Sequence, residues 1–396
     1  MNLAAPTQAS SPQPSSLSAT ATADSVLVYL PQLKVGGAEI SLLRLALELR
    51  ERGLQVSIAV HRIDAEARAL AGDLDLVSLA AGRTLTAVYK LTVLLRKRKP
   101  KFLVSALTHS NIIATLAARC PGVATRVVVT EHAPMSSMLW LYPGPRYRAI
   151  YKLMPLVYRL ADAIVAVSEG IRADFAPALG AAARGKFTVI HNPVLRHDWQ
   201  ALAQEPVDDP WFKAGVPPVI LSVGRLNPEK NFTMLIRAFA ALPAKAPPAR
   251  LAIIGEGPER VALQALIEAL HLGARVRLLG QIDNPFAYMR RARLFVLTSH
   301  FEGFGNVLIE AMACGLPVIS TDCPVGPREI LSGGRYGTLI PVDALLALSE
   351  AIQTQLQRND PPAQAMARAQ EFTAERSVDG YLALFAKISR SQTAQA

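Results

Sequence analysis

SVLVYL at residues 25–30, then Lys34, Val35, Gly36, Gly37 and Ala38, then SLLRLALEL at residues 41–49, place an apolar β-type run, a glycine turn and a helical pattern in immediate succession. The first run is short and ends in a turn, as a buried strand does. Leu42, Leu43, Leu45, Ala46 and Leu49 recur at helical spacing, so a helix should cover that strand. The unit repeats along the chain. Residues 56–60, 102–106, 127–130, 163–167 and 187–190 read as further strands, with helical stretches between most pairs. After a segment broken by Pro, Asp and Gly at 205–218, strands are expected again at 219–223, 250–254, 276–279, 294–297 and 318–320, and helices from about Val342 onward. Strands alternating with helices imply parallel sheets covered on both faces. The expected class is therefore α/β, two Rossmann-like domains facing each other across a cleft. The expected boundaries are a disordered tail over 1–23, one domain over 24–205, a second over 206–373 and a terminal helix over 374–396 packing back on the first.

Bulk composition narrows the function. With 396 residues, 51% of them apolar, the chain has material for two cores. It carries 42 Lys and Arg against 31 Asp and Glu, a net charge of +11 that favours anionic partners: nucleic acid, phospholipid or a phosphorylated substrate. Cys120, Cys314 and Cys323 are odd in number and lack a CxxC spacing, which argues against a disulfide framework or zinc site and fits a reducing cytoplasm. No apolar run reaches the ~18 to 20 residues of a spanning helix, so any membrane contact should be peripheral, on the inner face of the plasma membrane. Zinc-finger spacing, RRM-type aromatics and an evident helix-turn-helix are missing, which sets nucleic acid aside as a partner.

Two segments carry the chemistry. HFEGFGNVLIEAMACGLP at residues 300–317 follows an expected strand and opens a helix. Gly303 and Gly305 allow close backbone approach, and the amides of Phe304, Gly305 and Asn306 would face an anion from the helix start. Glu302 and Glu310, eight positions apart, can grip separate hydroxyls of one polyol. The second segment, VGRLNPEKN at residues 223–231, also joins a strand to a helix. Past Gly224, Arg225 offers a fork and Lys230 a point charge to a diphosphate.

On these residues the chain resembles the retaining glycosyltransferases of family 4, which have the GT-B fold, over nearly everything from Val26 to about Phe385. The family signature, a Glu followed by seven residues and a second Glu, is matched by Glu302 and Glu310. The resemblance implies that Glu310 binds ribose hydroxyls, that Glu302 contacts the donor sugar, and that Arg225 and Lys230 stabilise the departing diphosphate. It further implies that Gly36 and Gly37 lie near donor phosphates or acceptor, and that His109 faces the donor sugar. Glu131 and His132 resemble a pair found on the acceptor side, with acceptor binding and structural support both open. The segment at residues 322–331 resembles a loop bordering the donor, and together with 336–341 it is similar to enzymes using N-acetylhexosamine donors.

The resemblance implies an enzyme moving a hexose or N-acetylhexosamine from a nucleotide sugar, UDP by default and GDP as the alternative. The acceptor would be a glycan or lipid-linked molecule of bacterial surface polysaccharide or lipopolysaccharide synthesis. Transfer would be front-face, the leaving phosphate acting as base, with no cofactor and no metal, since no Asp-x-Asp pair is read at a strand end. A nucleotide-sugar epimerase of the same fold is the nearest rival. Arg96, Lys97, Arg98, Lys99 and Lys101, and the mixed basic and aromatic run at 145–154, suit an anionic membrane surface as well as they suit a solvated helix face.

Overall fold

The computed structural model describes residues 24–393 apart from 35, 83, 245 and 359–362. The tail expected over 1–23 lies outside the described residues.

Seven strands form the first sheet: β1 (Ser25–Tyr29), β2 (Gln55–Val60), β3 (Asp75–Ser78), β4 (Phe102–Ala106), β5 (Arg126–Glu131), β6 (Ala163–Ala166) and β7 (Phe187–Val189). Their order is β3-β2-β1-β4-β5-β6-β7, and every pair is parallel. Six strands form the second: β8 (Val219–Val223), β9 (Arg250–Ile254), β10 (Val276–Gly280), β11 (Leu294–Leu297), β12 (Val318–Thr321) and β13 (Thr338–Ile340). Here the order is β10-β9-β8-β11-β12-β13, again all parallel. In both sheets the order reverses beside the first strand, which opens a crevice at the strands' carboxyl ends, where ligands of such sheets bind. The two Rossmann-like domains are as expected.

Alternation along β1 divides the first domain's core. Val26 and Val28 face one way, against Leu42, Leu45 and Leu49 of the Gly37–Glu51 helix; Leu27 and Tyr29 face the other, against Leu91 and Leu95 of the Thr84–Arg98 helix. The Ala374–Thr393 helix joins the first face, where Phe385 stacks on Phe102 at 4.2 Å between ring centres and Val378 and Tyr381 are buried.

The chain crosses between domains twice, and the crossings lie together. Leu195 N donates to Phe372 O at 3.1 Å, and Ala374 N donates to Leu195 O at 2.9 Å. The outgoing crossing is earlier than the broken segment at 205–218 suggests. The Trp199–Gln204 helix already packs on the Pro285–Met289 helix of the second domain, and Asn284 Nδ2 donates to Leu202 O and to Glu205 Oε2.

Candidate active site

The loops leaving the carboxyl ends of the two sheets meet. Of the candidate residues, Gly224, Arg225 and Lys230 follow β8, while Glu302, Phe304, Gly305, Asn306 and Glu310 follow β11; they form one cluster on the second domain. Lys230 Nζ lies 2.5 Å from Glu302 Oε1, which also accepts from Ser299 Oγ at 2.6 Å. Arg225 is exposed and makes no hydrogen bond or ion pair of its side chain among the described residues. Its loop is held by β9's: Gly224 N donates to Ile254 O, Leu226 N to Glu256 O and Glu259 N to Leu226 O. The Gly-Glu-Gly-Pro at 255–258 that supplies this support is absent from the sequence-based candidates, although its glycine spacing after a strand is legible there.

The loop at 302–306 differs in detail from expectation. Gly305 takes φ +100°, which suits glycine, and caps the Asn306–Ala313 helix. Gly303, however, does not open space for a ligand: a Cβ there would lie 1.7 Å from His132 O, because two backbones from opposite domains touch at this point. Phe304 has its side chain in the core, stacked on His191 at 5.0 Å, so it can offer only its amide. Asn306 bridges the domains, accepting from Asn192 Nδ2 at 3.0 Å and donating to Ser41 Oγ at 3.4 Å.

From the first domain, Gly36 and Gly37 open the Gly37–Glu51 helix, but the parts of that helix nearest the second domain are side chains that the sequence pattern does not mark. A Cβ on Gly36 would meet Glu39 Oε2 at 2.5 Å. Burial raises the Glu39 pKa, with its own backbone amide and Arg225 across the cleft working against the rise. One turn further, both terminal nitrogens of Arg44 lie 3.4 Å from Glu310 Oε1. Glu310 is buried, and its pKa is raised by desolvation against the pull of Arg44. Nothing local in sequence joins residues 266 positions apart.

His109 sits in the first turn of the Thr108–Ala118 helix at the carboxyl end of β4. Burial lowers its pKa, and His61 and Arg146 nearby lower it further. His61, which follows β2, meets Tyr29 OH through Nε2 at 2.7 Å. These partners of His109 carry no signal in the sequence.

Glu131 and His132, placed on the acceptor side by the resemblance, sit in different surroundings. Glu131 is enclosed in the first domain, where Tyr158 OH donates to Oε1, as does Asn111 Nδ2 at 3.0 Å, and Thr108 Oγ1 donates to Oε2 at 3.0 Å. Its pKa is pushed up to about 7 by burial. Of the two roles left open, the geometry matches structural support. His132 Nε2 pairs with Thr130 Oγ1 at 3.0 Å, its Nδ1 is buried without a partner among the described residues, and burial lowers its pKa to about 4.

The segment at 322–331 provides an interdomain clamp. Glu329 accepts from Glu169 N at 2.9 Å and from Gly170 N at 3.4 Å through Oε2, and meets His191 Nε2 at 2.8 Å through Oε1. One Asp-x-Asp spacing occurs away from the strand ends that border the cleft. Asp73 and Asp75 show it, and they lie at the amino end of β3, paired with Arg50 and Arg98.

Residues 35–195 match the family model described as Glycosyltransferase Family 4, and residues 204–372 match that described as Glycosyl transferases group 1. The chain belongs to the family 4 glycosyltransferases of GT-B fold. Among its relatives is a Campylobacter jejuni N-acetylgalactosamine-N,N'-diacetylbacillosaminyl-diphospho-undecaprenol 4-alpha-N-acetylgalactosaminyltransferase, 35% identical over 253 residues, 63% of this chain and 66% of the relative. That match spans just under two thirds of the relative's length. The Rhizobium meliloti lipopolysaccharide core biosynthesis glycosyltransferase LpsE is 27% identical over 371 residues, 89% of this chain and 96% of the relative. Among solved structures, Anabaena HepE in complex with UDP and glucose superposes with a TM-score of 0.72 at 20% identity, over 94% of this chain and all of that one. The transferase shares that fold.

Proposed function

We propose that this transferase moves a hexose or N-acetylhexosamine, with retention of configuration, from a UDP-sugar to a lipid-linked or membrane-associated glycan in bacterial surface polysaccharide or lipopolysaccharide synthesis. The observation that carries the reading is the Lys230–Glu302 pair beside exposed Arg225: two cations for a diphosphate next to a carboxylate for sugar hydroxyls, at adjacent strand ends. UDP is favoured by HepE, solved with UDP and glucose, and a lipid diphosphate acceptor by the Campylobacter relative's name. LpsE places a relative in lipopolysaccharide core synthesis.

In this reading Glu310 holds the ribose and Glu302 the sugar. As the bond between the anomeric carbon and the phosphate oxygen breaks, negative charge gathers on the diphosphate, where Arg225 and Lys230 stabilise it more than they do in the ground state. The acceptor hydroxyl attacks from the side the phosphate leaves and passes its proton to that phosphate oxygen. His109, kept neutral by burial, offers the sugar a hydrogen bond. The test is a calorimetric titration with UDP, GDP and their sugars, repeated on Arg225→Ala and Glu310→Ala. Binding of one diphosphate that both variants weaken supports the reading; no binding of any nucleotide overturns it.

A further inference from the structure

All of the net charge of this chain lies in one part of one domain. Between Thr84 and Leu160 there are 12 Lys or Arg and a single acid, Glu131, which is sealed in the core; the remainder carries 30 of each sign. These residues build β4, β5 and a layer in which the Thr108–Ala118 helix packs between the Thr84–Arg98 and Pro145–Tyr158 helices.

The same layer holds large apolar side chains in solvent. On the first helix Leu85, Tyr89 and Val93 follow one another at one-turn spacing, 83%, 68% and 44% exposed. Leu116 on the second helix, and Leu153, Leu156 and Leu160 along the third and just past its end, continue the surface. A single exposed leucine means little, but a repeat at helical spacing is a helix face with no partner among the described residues. The cations around it divide in two. Arg98 is paired with Asp75, and Arg119 and Arg126 with Asp162, whereas Lys97, Arg148, Lys152 and Arg159 are exposed and form no ion pair among the described residues.

We propose that this three-helix layer docks the protein on an anionic phospholipid bilayer, with Leu85, Tyr89, Leu153 and Leu156 in the boundary between headgroups and acyl chains and the unpaired cations on the lipid phosphates. Charge complementarity selects this occupant. A second copy brings an equally cationic face against the first and is repelled, and a nucleic acid takes the cations but leaves the apolar stripe in water. Apolar side chains bordered by unpaired cations are what an interfacial helix presents to anionic lipid. The middle helix carries His109 in its first turn, so a docked layer brings the cleft within reach of an acceptor carried by lipid. The docking itself does not rest on the transfer reaction.

Sedimentation of the full chain with phosphatidylglycerol–phosphatidylcholine vesicles, and with phosphatidylcholine alone, tests it. The wild type should partition onto the anionic vesicles and far less onto the neutral ones, and salt should weaken the binding. A Lys97→Glu, Lys152→Glu variant should lose binding by about tenfold or more. A Leu85→Ser, Leu156→Ser variant should lose about as much while keeping its salt dependence. All four positions are exposed, and an unchanged melting temperature and UDP titration establish that the variants are folded. Equal partition onto both vesicle types, or none, overturns the proposal. So does a wild-type dimer in light scattering that the serine variant converts to monomer, since a second copy would then cover the face. Failure to bind UDP bears on the transfer reaction and not on the docking.

Discussion

Arg44 and Glu310 meet across the cleft, the guanidinium of the first domain on the buried carboxylate proposed to hold the donor's ribose. In the free enzyme the carboxylate is already engaged, so ribose hydroxyls must share it or displace Arg44. At 3.4 Å and with Arg44 partly solvated, this pair is worth on the order of 1 kcal/mol. Arg44→Gln should therefore tighten UDP binding roughly three- to tenfold at about pH 8, by calorimetry. An unchanged affinity would leave Arg44 the task of holding the two domains together.

Arg225 and Lys230 should separate rate from stability. Arg225 is exposed and makes no side-chain hydrogen bond among the described residues, so Arg225→Ala should change stability by less than about 0.5 kcal/mol while lowering kcat about 10²- to 10³-fold. Lys230→Ala removes the cation from a Glu302 side chain that is 10% exposed and leaves it, among the described residues, only Ser299. It should lower kcat comparably and also cost about 1–3 kcal/mol of stability. Thermal melts beside steady-state rates on both variants would show the difference.

Glu131 and His132 are adjacent in sequence and should oppose one another in pH dependence. Glu131 has its folded pKa raised to about 7, so the fold prefers it protonated; its contribution is full below the unfolded value near 4.5 and is lost as pH rises through 7. His132, lowered to about 4, is held neutral; its contribution is full above about 6.5 and is lost as pH falls through 4. Each is worth about 3 kcal/mol over its window, and between pH 4.5 and 6.5 the slopes cancel. Glu131→Gln should uncover a stability that falls on acidification, and His132→Gln one that falls as pH rises. Denaturant melts at about pH 5, 6.5 and 8, compared with wild type, read both; parallel curves for all three proteins would refute the pairing.

Most strands could be read from sequence because they are apolar runs buried on both faces, as in β1, β4 and β5. The two that sequence does not reveal, β3 with DLVS and β13 with TLI, are short edge strands with half their residues or more outside the core, so burial left little trace in them. Candidate site residues stand out in the sequence where suitable chemistry and a glycine turn coincide locally, as at Arg225, Lys230, Glu302 and Glu310. Glu131 shows the limit. A carboxylate at a strand end leaves acceptor binding and structural support both open in the sequence, and it is Tyr158, Asn111 and Thr108, brought in by two separate helices, that favour internal support. Glu39, Arg44 and the Glu329 clamp were invisible for the same reason, since their partners belong to the other domain.

Gly303 puts domain closure to the test. A methyl group at this position would lie 1.7 Å from His132 O and 2.8 Å from the carbonyl carbon behind it, both backbone atoms with no side-chain freedom to yield. Gly303→Ala must therefore push the two domains apart locally, drawing Ser168 Oγ away from Gly303 O, 3.2 Å distant in the native enzyme. The residues proposed for the diphosphate all belong to the second domain and should stay in place. The expected outcome is UDP binding within a few-fold of wild type, with transfer reduced by about 100-fold, the loss that a misplacement near 1 Å between reacting groups can cause. Titration and turnover measured on the same preparation check it. If transfer survives unchanged, the contact between Gly303 and His132 is not needed for the reaction.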